Sequence, residues 1–358
     1  MYHIVGLILF TALIISVYQP ELENNRTLLF VFIAMLFVMA AIRLEIGTDY
    51  PTYNTFFENV KPFSLHPDYS SGFQHYEPLF QYSTAILKHV IDSPIFFFSL
   101  WAFISLVFLW KGILDQSPNY LLSIFIYYCL IYINYTYNGI RQGVAMTIFI
   151  FSLKYILAKK LLPVLALTLF AVLIHSSGFL ILAAYFMSFT NFKNRLIIFL
   201  VLLAAFITWQ IGTGEALFLF IMEKIGVVTP DIVMYVKLFL EPHTLVQVLQ
   251  RVLILIPLVW LYPRLSSDEK YRRLFSIYIW GTIIYLTFGF FSMFITRINM
   301  FFRVLEIILI PMLYEKIPSR SQKMVVNYLV MIWGFIVLTW VYYKEAYYPF
   351  KTIFGDIL

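Results

Sequence analysis

Apolar runs of about 15–20 residues follow one another along the chain, separated by short polar connections. That is the length at which a helix rising about 1.5 Å per residue crosses a bilayer. The runs are Met1–Tyr18, Thr27–Ile42, Pro94–Trp110, Tyr120–Tyr137, Gly139–Leu157, Leu161–Ile174, Phe179–Phe189, Leu196–Gln210, Val246–Tyr262, Leu274–Phe294, Met300–Tyr314 and Val325–Val341. They predict an all-α, polytopic membrane protein with roughly 12 transmembrane helices (11–14). The stretch from Leu161 to Phe189 is interrupted by HSSG, His175 to Gly178, and reads either as two tight spans or as one broken element. In EPLFQYSTAILKHV the polar residues Glu77, Gln81, Thr84 and Lys88 recur at i, i+4, i+7 and i+11, one helical face. This predicts an amphipathic or partly inserted helix near residues 77–90; if it crosses fully, the N-terminal topology inverts.

Basic residues orient the spans. Lys159 and Lys160, Lys193 and Arg195, Arg264 to Arg273, and Lys316 to Lys323 fall in connections that alternate onto one side, expected to be the cytoplasm. The segments 43–76 and 211–250 lean acidic and are expected as outer excursions from a single domain spanning residues 1–358. The first run has no basic leader and no small-residue cleavage site, so it reads as a retained span.

Composition agrees. The chain is 61% hydrophobic and 12% charged, against about a quarter charged in an ordinary soluble domain. The net charge of +6 is read as topology, not nucleic-acid binding. Cys129 is the lone cysteine and excludes an intrachain disulfide framework. The six histidines form no i, i+4 pair, so no metal site or cofactor is expected. Aromatics make up 20% of the chain; Tyr and Trp partly populate the interfacial belts, and aromatics beside polar clusters also suit stacking on sugar rings.

Candidate chemistry gathers at the outer ends of the spans. Arg43, Asp49, Tyr50 and Tyr53 follow the second run. Tyr137, Asn138, Arg141 and Gln142 lie at a turn between two others. His175 sits at the HSSG break, and Arg297 lies at an outer turn with Arg303 and Glu306 further down its helix. Each has a plainer reading. Arginines near helix ends snorkel, Arg303 and Glu306 neutralise each other at i, i+3, His175 caps a broken helix, Asp49 closes an Asx turn, and Glu77 suits a helix N-terminus. Arg43, Arg141, Arg297 and Arg303 together are harder to dismiss. Guanidinium forks bind phosphate oxygens bidentately, which in a membrane suggests a lipid pyrophosphate, and the tyrosines suit carbohydrate.

The stretches RLEIGTDYPTY (43–53), EPLF (77–80), GIRQGVAMTIFIFSLKYILAKK (139–160), LIHSSGF (173–179), RINMFFRVLEIILIP (297–311) and YPFKTIF (348–354) resemble, in order, those of the EpsG family of Wzy-type O-antigen and exopolysaccharide polymerases. The resemblance implies a GT-C-like membrane glycosyltransferase at the outer face of the bacterial plasma membrane. Such an enzyme joins undecaprenyl-pyrophosphate-linked oligosaccharide repeats, moving the growing glycan from its lipid pyrophosphate to a sugar hydroxyl of the next unit, with no nucleotide sugar. It also suggests a polysaccharide chain-length regulator as partner. Under this expectation Asp49, then His175, then Glu77 are candidates for the base. Arg43, Tyr50, Tyr53, Tyr137, Asn138, Arg141, Gln142, Arg297 and Arg303 are the substrate-binding candidates. The rival readings are a lipid-linked oligosaccharide transporter, which wants polar residues through the full depth of the bilayer, and a polysaccharide ligase of the same chemistry.

Overall fold

The computed structural model describes residues 1–61, 76–192, 194–224, 241–342, 347 and 349–357. The remainder of the expected excursions 43–76 and 211–250, Lys193 of the basic connections and Tyr348 of the YPFKTIF stretch lie outside the described residues.

Among the described residues the regular structure is helical apart from a two-stranded hairpin near the C-terminus. Among the described residues, five helices are long and apolar enough to cross a membrane: Pro94–Gln116, Tyr120–Asn138, Ile140–Leu157, Leu245–Leu265 and Arg320–Trp340. The pair Arg195–Ile211 and Gly214–Ile221, bent by 98°, makes a sixth if taken as one broken span. Tyr2–Tyr18, Arg26–Ala41, Leu161–Val172 and Ser176–Met187 are apolar but shorter, at 10–17 residues. The result is a polytopic membrane protein.

The described residues fall into two compact units, Met1–Ala183 with Glu306–Leu358, and Ala184–Leu305. The first is built from α1 (Tyr2–Tyr18), α2 (Arg26–Ala41), α3 (Tyr50–Asn59), α4 (Pro78–Val90), α5 (Pro94–Gln116), α6 (Tyr120–Tyr127), α7 (Ile140–Leu157) and α8 (Leu161–Val172), with later helices at Glu306–Glu315 and Arg320–Tyr342. Helix starts carry their own signals. Asn25 accepts from the Leu28 amide at 2.9 Å and Asn119 from the Leu122 amide at 2.9 Å; Ser93 caps α5 ahead of Pro94. These side chains satisfy amides that the first helical turn leaves without partners.

Helix α5 lies along α7 and α2. The closeness of the α5–α7 approach is set at Gly112, where a Cβ would sit 2.5 Å from Ile150 Cγ2 and 3.1 Å from the backbone of Ile150 and Phe151. Small residues at such crossings let backbones approach where lipid offers no competing hydrophobic drive.

Helix α6 continues into an eleven-residue π-helix, Tyr128–Asn138, almost wholly buried. Its tyrosines tie neighbouring helices through main-chain carbonyls. Tyr128 Oη donates to Tyr2 O at 2.7 Å, Tyr137 Oη to Met39 O at 2.6 Å, and Tyr132 Oη to Leu36 O. A buried tyrosine seeks such a partner for its hydroxyl.

The helix expected near residues 77–90 is α4, and it is amphipathic with its polar side inward. Thr84 is buried and Gln81 and Lys88 are half-buried, while Tyr82, Ile86 and Val90 are exposed. An apolar outer face suits an element bathed in lipid. Lys88 Nζ donates to the Phe57 and Glu58 carbonyls at 2.9 and 2.6 Å, capping the C-terminal end of α3.

In the second unit, residues 274–294 do not form the single span expected. The helix Glu269–Thr287 stops, and a new one runs from Ser292 to Arg303. The backbone groups between them bond elsewhere: Gly289 O accepts from the His243 amide at 2.8 Å, and the Ser292 amide donates to Glu241 O at 2.9 Å. The expected run Met300–Tyr314 is likewise divided, since Arg303 closes one helix and Glu306 opens the next. Tyr285 and Phe291 join Ala205, Val248, Leu286 and Ile295 in this unit's core.

Gly112→Val tests the α5–α7 crossing. The added methyl groups have no space, and overpacking of this kind costs about 1–3 kcal/mol. The expected outcome is a lower temperature for loss of monodispersity in detergent.

Candidate active site

The stretch after α2 turns sharply. Gly47 adopts φ +107°, and a Cβ there would lie 2.9 Å from Asn138 Oδ1. Only glycine meets both demands at low cost. Asn138 Oδ1 then accepts from the Asp49 amide at 2.8 Å and from Thr48 Oγ1 at 3.1 Å. The turn is thereby pinned to the end of the π-helix, and Asp49 is set at the start of α3 without capping it. Its carboxylate accepts from Thr48 Oγ1 at 3.2 Å and, among the described residues, forms no ion pair.

Arg43 is 2% exposed. Nη1 donates to Thr136 O at 3.2 Å, and Nε and Nη2 have no hydrogen-bond partner among the described residues. The guanidinium lies 4.5 Å from the centre of the Tyr137 ring and 5.1 Å from that of Phe98, close enough for cation–π attraction. Tyr50 stacks on Phe98 at 4.4 Å. Burial lowers the Arg43 pKa from its ordinary value, but an arginine keeps its charge in proteins. A buried charge without a counter-ion is expensive.

The second cation is held differently. Arg141, in the first turn of α7, pairs with Glu77 Oε2, while Glu77 Oε1 accepts from the Ser176 amide at 2.7 Å. The Arg141 guanidinium lies over Tyr76 at 4.2 Å and Phe80 at 5.4 Å, with Nε buried and unpartnered. Glu77 thus links α4, α7 and the HSSG turn. His175 Nδ1 accepts from the Ser177 amide at 3.1 Å and lies 2.7 Å from Ser177 Oγ; the break is a single 3₁₀ turn, Ser176–Phe179, that this ring caps.

Tyr53 is buried between the two cations' surroundings, with Arg141 and Asp49 as its charged neighbours. Burial raises its pKa, with Arg141 opposing. Tyr76 is pushed up to about 12, first by burial and then by the phenol of Tyr53. Tyr347, near Asp49, Thr48 and Arg43, is likewise pushed up to about 12 by burial.

The structure therefore brings together Arg43, Asp49, Tyr50, Tyr53, Glu77, Tyr137, Asn138, Arg141 and His175 in the first unit; Gln142 is buried in the same turn of α7 as Arg141. Tyr137 lies beneath Arg43, its hydroxyl committed to Met39, and so supports the cation. Arg297 and Arg303 belong to the second unit. Arg297 is exposed, and Arg303 is buried with Nη1 3.5 Å from Met300 Sδ. Sequence reasoning missed Phe98, Tyr76 and Tyr347, which resemble ordinary packing or interface aromatics until their cations are seen. It also missed a buried cluster in the second unit, where His243 stacks on Tyr285 at 3.8 Å and Arg251 lies over the same ring at 4.5 Å. Burial, then Arg251, brings the His243 pKa down to about 4. No group of three or more metal-binding side chains occurs among the described residues.

Among the described residues of the first unit of this helical membrane protein, Arg43, Arg141 and the Asp49 carboxylate lie at or beside the ends of helices. The EpsG family profile matches residues 26–352 of the 358, so the chain belongs to the EpsG family, which indicates a polysaccharide polymerase-type membrane protein. No curated protein and no solved structure matches the chain.

The two raised phenols give a pH test. Tyr76 and Tyr347 hold their protons to about 12 when folded and release them near 10.0 when unfolded. The folded state binds more protons between these values, so stability falls as pH rises through that window. Melting in detergent is expected to decline from pH 10 towards 12, less steeply in Tyr76→Phe.

Proposed function

We propose that the protein is a membrane glycosyltransferase of GT-C-like architecture, with roughly 12 transmembrane helices, that polymerises undecaprenyl-pyrophosphate-linked oligosaccharide repeats at the outer face of the bacterial plasma membrane. The observation that carries this reading is that, among the described residues, a buried guanidinium without an acid, Arg43, and a carboxylate without an ion pair, Asp49, flank one turn whose end Asn138 pins in place. Arg43 Nε and Nη2 are donors awaiting oxygen acceptors, and a phosphate supplies them.

In this mechanism the acceptor sugar hydroxyl attacks the anomeric carbon of the growing glycan. The new sugar C–O bond forms as the bond to the pyrophosphate oxygen breaks. Asp49 takes the hydroxyl proton, and the lipid pyrophosphate departs with the electron pair. Arg43 and Arg141 stabilise the charge growing on that leaving group, where preorganised electrostatics acts most strongly. Glu77 is occupied by Arg141 and the Ser176 amide, so it positions the cation, and Asp49 is the better placed base. His175 sets the turn that supplies the Ser176 amide. Tyr50, Tyr53, Gln142, Arg297 and Arg303 are proposed as further substrate contacts. The substrates are membrane lipids, and a polysaccharide chain-length regulator is the proposed protein partner.

Purified protein supplied with a lipid-pyrophosphate-linked repeat unit is expected to give a ladder spaced by one repeat. Intact single-repeat lipid would move the reading to transport. Asp49→Asn is expected to abolish the ladder at normal protein levels; chains of near wild-type length would remove Asp49 as the base. Arg141→Lys keeps the charge and loses the fork, and is expected to slow the reaction by about 10²–10³, the range for losing one transition-state donor. Unchanged activity there would reduce Arg141 to a snorkelling residue.

A further inference from the structure

The C-terminal hairpin, β1 (Phe350–Thr352) and β2 (Gly355–Ile357), lies directly over Arg43. Thr352 forms an antiparallel bridge with Arg43. The Leu44 amide donates to Lys351 O at 3.0 Å, and the Ile353 amide to Ile42 O at 3.0 Å. Phe350 packs edge-on to Tyr2 at 5.3 Å and lies 6.4 Å from Tyr137, the ring that carries the guanidinium. An exposed ion pair, Lys351–Glu45 at 3.3 Å, sits beside the bridge.

This cover is complete and lightly held. Under it Arg43 is 2% exposed, so nothing from outside reaches Nε or Nη2. Among the described residues, the attachment includes two main-chain bonds, the contacts of Phe350 with two rings and an ion pair of a kind that water and salt weaken. Strands of three residues in a two-stranded hairpin have little stability of their own. The tip is apolar and outward, with Phe354 82% and Ile353 40% exposed, which gives the hairpin somewhere to rest at a membrane surface. The closed form leaves two charged donors unsatisfied, and any oxyanion that meets them binds the open form better. Differential affinity of that kind is what shifts a conformational equilibrium.

We propose that the hairpin is a removable roof over an oxyanion site, lifting from Arg43 to admit a phosphate group and closing when the site is empty. The proposal rests on the reading of Arg43 as a phosphate ligand.

The test is a lock. The chain's one cysteine, Cys129, is buried, so an introduced pair reports without interference. Leu44→Cys with Lys351→Cys places thiols at opposed positions of the ladder, where Cα atoms lie about 5.5 Å apart, within the disulfide range of about 4.4–6.8 Å. The full-length double variant in lipid nanodiscs is treated with phenylglyoxal, and modification of Arg43 is followed by peptide mass, oxidised and reduced, with and without inorganic pyrophosphate. Oxidation is expected to slow modification by about tenfold or more, equivalent to about 1.4 kcal/mol of added opening cost, and to stop repeat addition. Reductant restores both, and pyrophosphate protects Arg43 in the reduced form. Equal modification rates in the two redox states, or repeat addition that survives oxidation, would overturn the roof. Slowing by oxidation without protection by pyrophosphate keeps the roof and overturns the phosphate reading. The reduced variant serves as the folding control.

Discussion

A guanidinium buried without an acid is the constraint on which the first unit depends. Removing such a charge from water costs several kcal/mol even after relaxation. Here it is met by one carbonyl and the faces of two rings. The neighbourhood is arranged around that need. The π-helix turns the Thr136 carbonyl and the Tyr137 ring towards Arg43, and Tyr137 is in turn fixed by its bond to Met39. α5 contributes Phe98, which Tyr50 backs from α3. Remove the cation and these rings have no evident reason to converge. Keep it, and two donors remain that the described residues do not satisfy.

The other cation obeys a different logic. Arg141 is neutralised by Glu77, and the cost of that pairing is shared by the Ser176 amide. Because α4 turns its polar side inward, Glu77, the residue that precedes it, reaches both α7 and the turn after α8. The outward apolar side of α4 then faces surroundings that do not compete for these bonds. Two cations in one unit are thus maintained by opposite means, one by an internal acid and one by aromatic faces.

Much of this was legible in the sequence. The spacing of Glu77, Gln81, Thr84 and Lys88 shows a helix with one polar side, and GTDY shows a turn that needs Gly47. What the sequence hides is direction. Periodicity gives a polar face but not whether it looks inward, and in lipid the soluble rule reverses. Nor does the sequence show that the hydroxyls of Tyr128, Tyr132 and Tyr137 bond main-chain carbonyls of neighbouring helices. The roof over Arg43 comes from residues some three hundred positions away, a pairing that no local pattern announces. The breaks at Phe288–Phe291 and after Arg303 fall inside apolar runs, because what ends the first helix is backbone bonding to residues 241 and 243 and not a change in composition.

The π-helix has a consequence for how such a protein changes over evolutionary time. Each amide in Tyr128–Asn138 reaches one residue further back than in an α-helix, so the segment carries slack that its neighbours lack. A residue lost there is absorbed by relaxing towards the ordinary winding, whereas the same loss in α5 or α7 throws the packing out of phase. Everything beyond the loss turns by about 100° about the helix axis. The widened turn therefore tolerates a change of length that leaves the Asn138 and Arg141 region in phase with the membrane helices around it.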